Sequence, residues 1–187
     1  MRLFTALEAP EAWRDEAVRA QQRLAEQCAA DLRFVARELL HVTVRFLGEV
    51  PPEQAATLVD AIEAQPPFEV DLALAPAGTF GQASRTSVVW LGVTIGERGT
   101  ATLLETVDGA IRAAGLTPSE QPWRPHLTLA RVRRQVEPPR RRAIAGAVRE
   151  LPTPPPQLTL ARGVSLYRSD LGNRAPRHKL LARSAVS

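Results

Sequence analysis

His41-Val42-Thr43-Val44 and His126-Leu127-Thr128-Leu129 are two short runs built to one plan, with polar and apolar residues alternating along each. Successive side chains of an extended strand point to opposite faces, so an imidazole and a hydroxyl share one face while the aliphatic residues enter the other. That face sets a group titrating near neutral pH beside a neutral hydrogen-bond donor, and the apolar back holds both in place. Two copies supply one base, one acid and two donors for equatorial oxygens, as in-line phosphoester chemistry requires. A single strand histidine is ordinarily satisfied within a core. Here two of only three histidines occupy matching positions, and the pair is read as a site.

Outward from these runs the chain repeats itself. Strand character marks Arg2–Leu7, His41–Leu47, Phe68–Leu74, Ser87–Val93, His126–Val132, Gln157–Leu166 and His178–Ala182. Between them, apolar residues step by three and four at Trp13-Ala17-Ala20-Leu24-Cys28, Ala55-Leu58-Val59-Ile62, Leu103-Leu104-Val107-Ile111 and Ile144-Val148-Leu151, the spacing of amphipathic helices. Leu3 precedes His41 by 38 positions and Val89 precedes His126 by 37; His41 to Phe68 is 27 and His126 to Gln157 is 31. These intervals align half-repeats of about 1–80 and 81–187 within one domain, 1–187. The expected architecture is α+β: a duplicated β-α-β-α-β fold of two lobes, with a pseudo-twofold central cleft between antiparallel sheets.

Composition narrows the function classes. The one cysteine, Cys28, excludes an internal disulfide and a cysteine zinc site. The opening Met1–Leu7 run is too short for a signal peptide and no stretch approaches a membrane span, so a cytoplasmic protein without membrane contact is expected, as a monomer. The formal charge is +4 and Lys179 is the sole lysine, while Arg124 to Arg149 holds eight arginines against one acid, Glu137. That cluster suits either a nucleic-acid contact or a solvated face. Zinc is disfavoured, because neither motif carries a carboxylate at ligand spacing and only His178 remains as a third imidazole.

One decoy needs sorting. Leu127-Thr128-Leu129-Ala130-Arg131 recurs as Leu158-Thr159-Leu160-Ala161-Arg162, but with Gln157 in place of the preceding histidine. In the half-repeat alignment the second copy falls opposite Val70–Leu74 and reads as a supporting strand.

His41-Val42-Thr43-Val44-Arg45-Phe46-Leu47-Gly48 and Pro125-His126-Leu127-Thr128-Leu129-Ala130-Arg131 resemble the paired motifs of the 2H phosphoesterase superfamily, nearest its RNA 2′,3′-cyclic phosphodiesterase branch, also called 2′-5′ RNA ligase. The likeness runs on through Met1–Phe4, Gly78-Thr79-Phe80, Val88-Val89-Trp90 and Val164–Ser169. It implies His41 as proton donor and His126 as proton acceptor, Thr43 and Thr128 on the phosphate oxygens, and Arg131 on the phosphate or substrate. It implies no metal and no cofactor, and as partner an RNA with a 2′,3′-cyclic phosphate end, such as a tRNA fragment, opened to a 2′-phosphomonoester, with reversible 2′-5′ ligation by the same residues. Strict alternation points Arg131 away from His126, so its role requires a bulge or a strand end. Many relatives carry a Gly-x-x-Tyr-like segment near the C-terminus where this chain has Asn173–His178, and His178 there reads either as a replacement or as an incidental surface residue. Phe46 and Trp123 read as core or rim. The alternatives are another small cyclic phosphate such as ADP-ribose cyclic phosphate, and a catalytically silent RNA-binding module using the arginine cluster.

Overall fold

The computed structural model describes residues 1–156, 158–171 and 176–185. The alternating and periodic segments become β1 (Arg2–Glu8), α1 (Glu11–Cys28), β2 (Leu32–Phe34), β3 (His41–Glu49), α2 (Pro52–Glu63), β4 (Glu69–Phe80), β5 (Val88–Ile95), α3 (Glu97–Ala113), β6 (His126–Val132), α4 (Pro138–Arg149), β7 (Leu158–Arg162), β8 (Ser165–Leu171) and β9 (Pro176–Arg183). Proline in the first turn starts α2 and α4, where its missing N–H leaves nothing unsatisfied. α3 stops at Gly115, whose φ of 69° lets its N–H reach the Arg112 carbonyl and that of Leu116 reach Ile111. None of the described helices is long and apolar enough to cross a membrane.

All strand pairings are antiparallel, in the order β7-β4-β5-β6-β3-β1-β8-β9, with β2 added to the edge of β6. The path falls into two four-stranded lobes, β7-β4-β5-β6 and β3-β1-β8-β9, which touch through one residue pair, Val42 opposite Leu127. Those are the central residues of the two His-x-Thr runs, so the pseudo-twofold axis of the expected α+β duplication passes between them. The antiparallel sheets are thus joined at the floor of the cleft. Each lobe also takes a strand from across the chain: β4 follows the first motif yet pairs with β5, and β8 follows the second yet pairs with β1.

The segment expected as one strand, Gln157–Leu166, is two. Gly163, at φ 72°, turns the chain between β7 and β8, a left-handed conformation that glycine adopts without strain; Gln157 itself lies outside the described residues. The repeated Leu-Thr-Leu-Ala-Arg is therefore a supporting strand, β7, but it lies beside β4 as its partner, Val70 opposite Ala161. The counterpart of β4 in the duplication is β8.

The helices cover the convex side of the sheet, where Trp13, Leu24, Leu58, Ile62, Leu103, Ile111 and Ile144 meet Leu7, Val42, Leu91 and Leu127 in a solvent-free core. On the concave side, Trp90 packs against Gly78 on the neighbouring strand, and a Cβ at Gly78 would clash with the six-membered ring of the indole. Gly78→Ala is expected to cost about 1–3 kcal/mol through this overpacking and to lower the urea midpoint. A midpoint within error of wild type would mean that the ring moves aside freely.

Candidate active site

The cleft is shaped by two equivalent β-bulges. Along β3, Thr43 faces Ala6 and Arg45 faces Thr5, so Val44 is an extra residue; along β6, Thr128 faces Trp90 and Ala130 faces Val89, so Leu129 is extra. A bulge lets two consecutive side chains enter one face and restores alternation one residue late. Val44 and Arg45 are accordingly both buried, as are Leu129 and Ala130, and the next residues, Phe46 and Arg131, return to the face carrying the histidines. The backbone groups displaced by the bulges find partners. Arg45 N–H donates to Thr5 Oγ1 at 3.1 Å, and the Leu129 carbonyl accepts from Val35 N–H at 2.9 Å and Gln21 Nε2 at 2.9 Å.

The bulge meets the geometric condition for Arg131: its side chain emerges with those of His126 and Thr128. Its positive charge acts on both imidazoles, which brings the two motifs and this guanidinium into one electrostatic neighbourhood. Antiparallel pairing at Val42 and Leu127 puts His41 on the side of Thr128 and Thr43 on the side of His126. Neither threonine hydroxyl has a hydrogen-bond partner among the described residues, and Arg131 has no carboxylate there.

Both imidazoles are held alike. His41 Nδ1 and His126 Nδ1 each lie 2.7 Å from the carbonyl two residues earlier, Leu39 and Arg124. A carbonyl only accepts, so each Nδ1 carries the proton and each Nε2 is left to exchange one. The His41 ring stacks on Phe4, with centroids 4.9 Å apart, and Phe4 stacks in turn on Tyr167. Phe80 meets His126 edge-on at 4.8 Å. Trp123, just before β6, donates its Nε1–H to the Thr43 carbonyl at 2.8 Å and so ties the loop of one motif to the strand of the other. Beside His126 a cavity of about 530 Å³ opens, walled by Phe80, Trp90, Trp123 and Pro125.

Burial governs the titration of these groups. Desolvation drives His41 down to about 4, against a hydrogen bond to Leu39 that favours its proton, with further lowering from His178, His126 and Arg131. Desolvation also lowers His126, with Arg131 adding to it and the Arg124 carbonyl opposing.

His178 is the residue that sequence reasoning undervalued. It meets His41 edge-on at 5.2 Å and Phe4 at 4.9 Å, because β9 follows β8 back across the same lobe and sets Ser169 opposite His178. No local pattern announced it, since the strand order that brings the chain's end beside its beginning is a tertiary fact; Asn173, Arg174 and Ala175 of the same segment lie outside the described residues. Phe46 is 67% exposed, and so belongs to the cleft rim. The Arg124–Arg149 cluster divides: Arg140 is held by Asp31, and Arg141 donates to four backbone carbonyls, of Val136, Thr86, Arg133 and Arg134, as a structural strut. Arg162 pairs with Glu69 on the strand beside it. Among the described residues no group of three or more His, Cys, Asp or Glu is gathered as a metal site.

The model of the 2′-5′ RNA ligase superfamily matches residues 9–173. The chain is 31% identical to a Methanothermobacter thermautotrophicus protein named RNA 2′,3′-cyclic phosphodiesterase, covering 94% of each. It is 32% identical to a Geobacillus stearothermophilus protein of the same name, over 89% of this chain but only 52% of the relative, so it spans about half of that protein's length. Among solved structures it resembles Escherichia coli LigT in apo form, with a TM-score of 0.71 at 28% identity over 97% of this chain and 95% of that one.

Proposed function

The chain belongs to the 2′-5′ RNA ligase superfamily, and from that premise we propose that it hydrolyses 2′,3′-cyclic phosphate ends of RNA to 2′-phosphomonoesters by acid–base catalysis between its two motifs. The observation that carries this reading is the pair of imidazoles, each fixed by a carbonyl at Nδ1 and free at Nε2, on either side of a twofold axis with the charge of Arg131 acting on both. The names of the relatives support the substrate class.

In this mechanism a water beside His126 gives its proton to Nε2 as it attacks phosphorus. The P–O3′ bond breaks on the opposite side, and His41 delivers its Nε2 proton to the departing O3′. Thr43, Thr128 and Arg131 hold the non-bridging oxygens and the charge that builds on them. Burial lowers His41 and so disfavours its imidazolium in the free enzyme, and the bound phosphate anion supplies the negative charge that favours it. With the 5′-hydroxyl of a second RNA in place of water, the same groups form a 2′-5′ phosphodiester. His126 takes the hydroxyl proton as the oxygen attacks phosphorus, the P–O3′ bond breaks and His41 protonates O3′; the reverse reaction cleaves that linkage back to the cyclic phosphate. Metal-free turnover is part of the proposal. Product analysis of a cyclic-phosphate-ended oligonucleotide in excess EDTA tests it: a 2′-phosphate product is expected, and no reaction, or a 3′-phosphate product, overturns it.

The pKa directions predict a pH profile. In the free enzyme His41 must be protonated and His126 neutral, and burial disfavours the first of these, so kcat/KM is expected to peak well below pH 6.5. On the alkaline side it should fall about tenfold per pH unit as His41 loses its proton. The kcat profile, measured on the complex, should lie at higher pH, because a bound phosphate anion stabilises the imidazolium. A kcat/KM maximum above pH 7.5 would reject His41 as the proton donor.

A further inference from the structure

β2 takes up the edge of β6 that β3 leaves after Val42 and Leu127, setting Leu32, Arg33 and Phe34 opposite Val132, Arg131 and Ala130. Residues directly opposite on antiparallel strands project from the same face, with Cβ atoms roughly 5 Å apart. Leu32 is buried and Arg33 exposed, so Arg33 emerges beside Arg131 at the mouth of the cleft. Like charges in that position repel. Several other arginines are neutralised at hand: Arg37 lies on Glu11 and Asp15, Arg140 on Asp31, Arg168 on Asp170 and Arg183 on Glu8. Arg33 and Arg131 have no such partner among the described residues, and the nearest carboxylate along the chain, Asp31, is already held by Arg140. Exposed Arg85, in the 3-10 turn before β5, and Arg133 and Arg134, in the turn after β6, add positive charge around them without a carboxylate among the described residues.

An opposed arginine pair with no internal counter-ion is the arrangement that an external polyanion relieves. We propose that Arg33 is a phosphate-binding residue: Arg131 meets the reacting terminal phosphate, and Arg33 meets the phosphodiester one nucleotide upstream on a single-stranded RNA. The inference rests on the phosphodiesterase reading for the terminal phosphate, and it makes an RNA strand a better substrate than a cyclic mononucleotide. The phosphate contact is electrostatic and independent of sequence, so its signature is salt dependence.

The test measures fluorescence anisotropy of a labelled short RNA ending in a 3′-phosphate across a salt series, for the wild type, Arg33→Ala and Arg33→Lys. Wild type should bind the RNA more tightly than a nucleoside monophosphate competes for it. Arg33→Ala should weaken binding about tenfold and flatten the slope of log K against log salt by about 0.7, and Arg33→Lys should restore most of both. An unchanged slope and affinity in Arg33→Ala, or wild-type RNA binding no tighter than mononucleotide binding, overturns the proposal. A parallel rate measurement compares kcat/KM for a cyclic-phosphate-ended oligonucleotide with that for a 2′,3′-cyclic mononucleotide, and the ratio should drop about tenfold in Arg33→Ala. If wild type hydrolyses neither substrate, the phosphodiesterase reading fails, while the binding series still decides the role of Arg33.

Discussion

His126→Ala is expected to lower kcat on a 2′,3′-cyclic phosphate by about three orders of magnitude, and His41→Ala by a similar factor, since a positioned acid or base contributes roughly 10²- to 10⁴-fold. The two losses should differ in kind. His126→Ala removes the base that activates water and should impair every substrate alike. His41→Ala removes the proton that O3′ needs, and that need vanishes when the leaving group is a stable anion. A nitrophenyl phosphodiester should therefore recover much of its rate in His41→Ala and none in His126→Ala. The double variant should lose little more than the worse single one, because acid and base act in one step. Full activity of either single variant on the cyclic phosphate would end the two-histidine mechanism, and recovery in the opposite variant would exchange the two roles. His41→Gln serves as a folding control, since the His41 ring packs on Phe4 and its Nδ1 meets the Leu39 carbonyl.

The difference between what was legible in the sequence and what was not follows the range of the interactions. Alternation in a strand is local, and β6 spans His126–Val132 as the pattern predicts. Helical stripes are local too, and α1 to α4 lie where the periodicities fall. The bulges are properties of a pair of strands: nothing in Val44-Arg45 or Leu129-Ala130 says that two neighbours will both turn inward, although the need to aim Arg131 pointed to one of them. The same holds for β2, whose three residues have no period of their own and form a strand because β6 offers a free edge. His178 is the extreme case, brought within 5.2 Å of His41 from the far end of the chain by the strand order β3-β1-β8-β9. Two histidines announced themselves by matching each other, and the third had no match to be found by.

The bulge in β3 has a support behind it whose removal should be the largest single stability effect in the molecule. Arg45, turned inward by the extra residue Val44, donates from Nε to Asp108 Oδ1 at 2.8 Å and from an Nη to Oδ2 at 3.0 Å, with the two side chains only 8% and 15% exposed. This fork joins the strand that carries His41 and Thr43 to α3. Arg45→Met keeps much of the volume but strands the Asp108 carboxylate in a poorly solvated place, and breaking a buried pair from one side costs about 3–5 kcal/mol. For a chain of this size that corresponds to a fall in Tm of about 10 °C. Arg45→Met with Asp108→Leu should recover most of the loss, because the stranded charge, more than the missing attraction, is what destabilises. Arg45→Lys should fall between, retaining charge without the two-pronged geometry. If the single variant unfolds within 1 kcal/mol of wild type in urea, water reaches Asp108 and the pair is no anchor. If instead the doubly apolar variant is stable but slow, well below its Tm, then the guanidinium fork fixes more than fold stability: it sets the bulge that turns Phe46 toward the cleft and holds His41 in register with its partner motif.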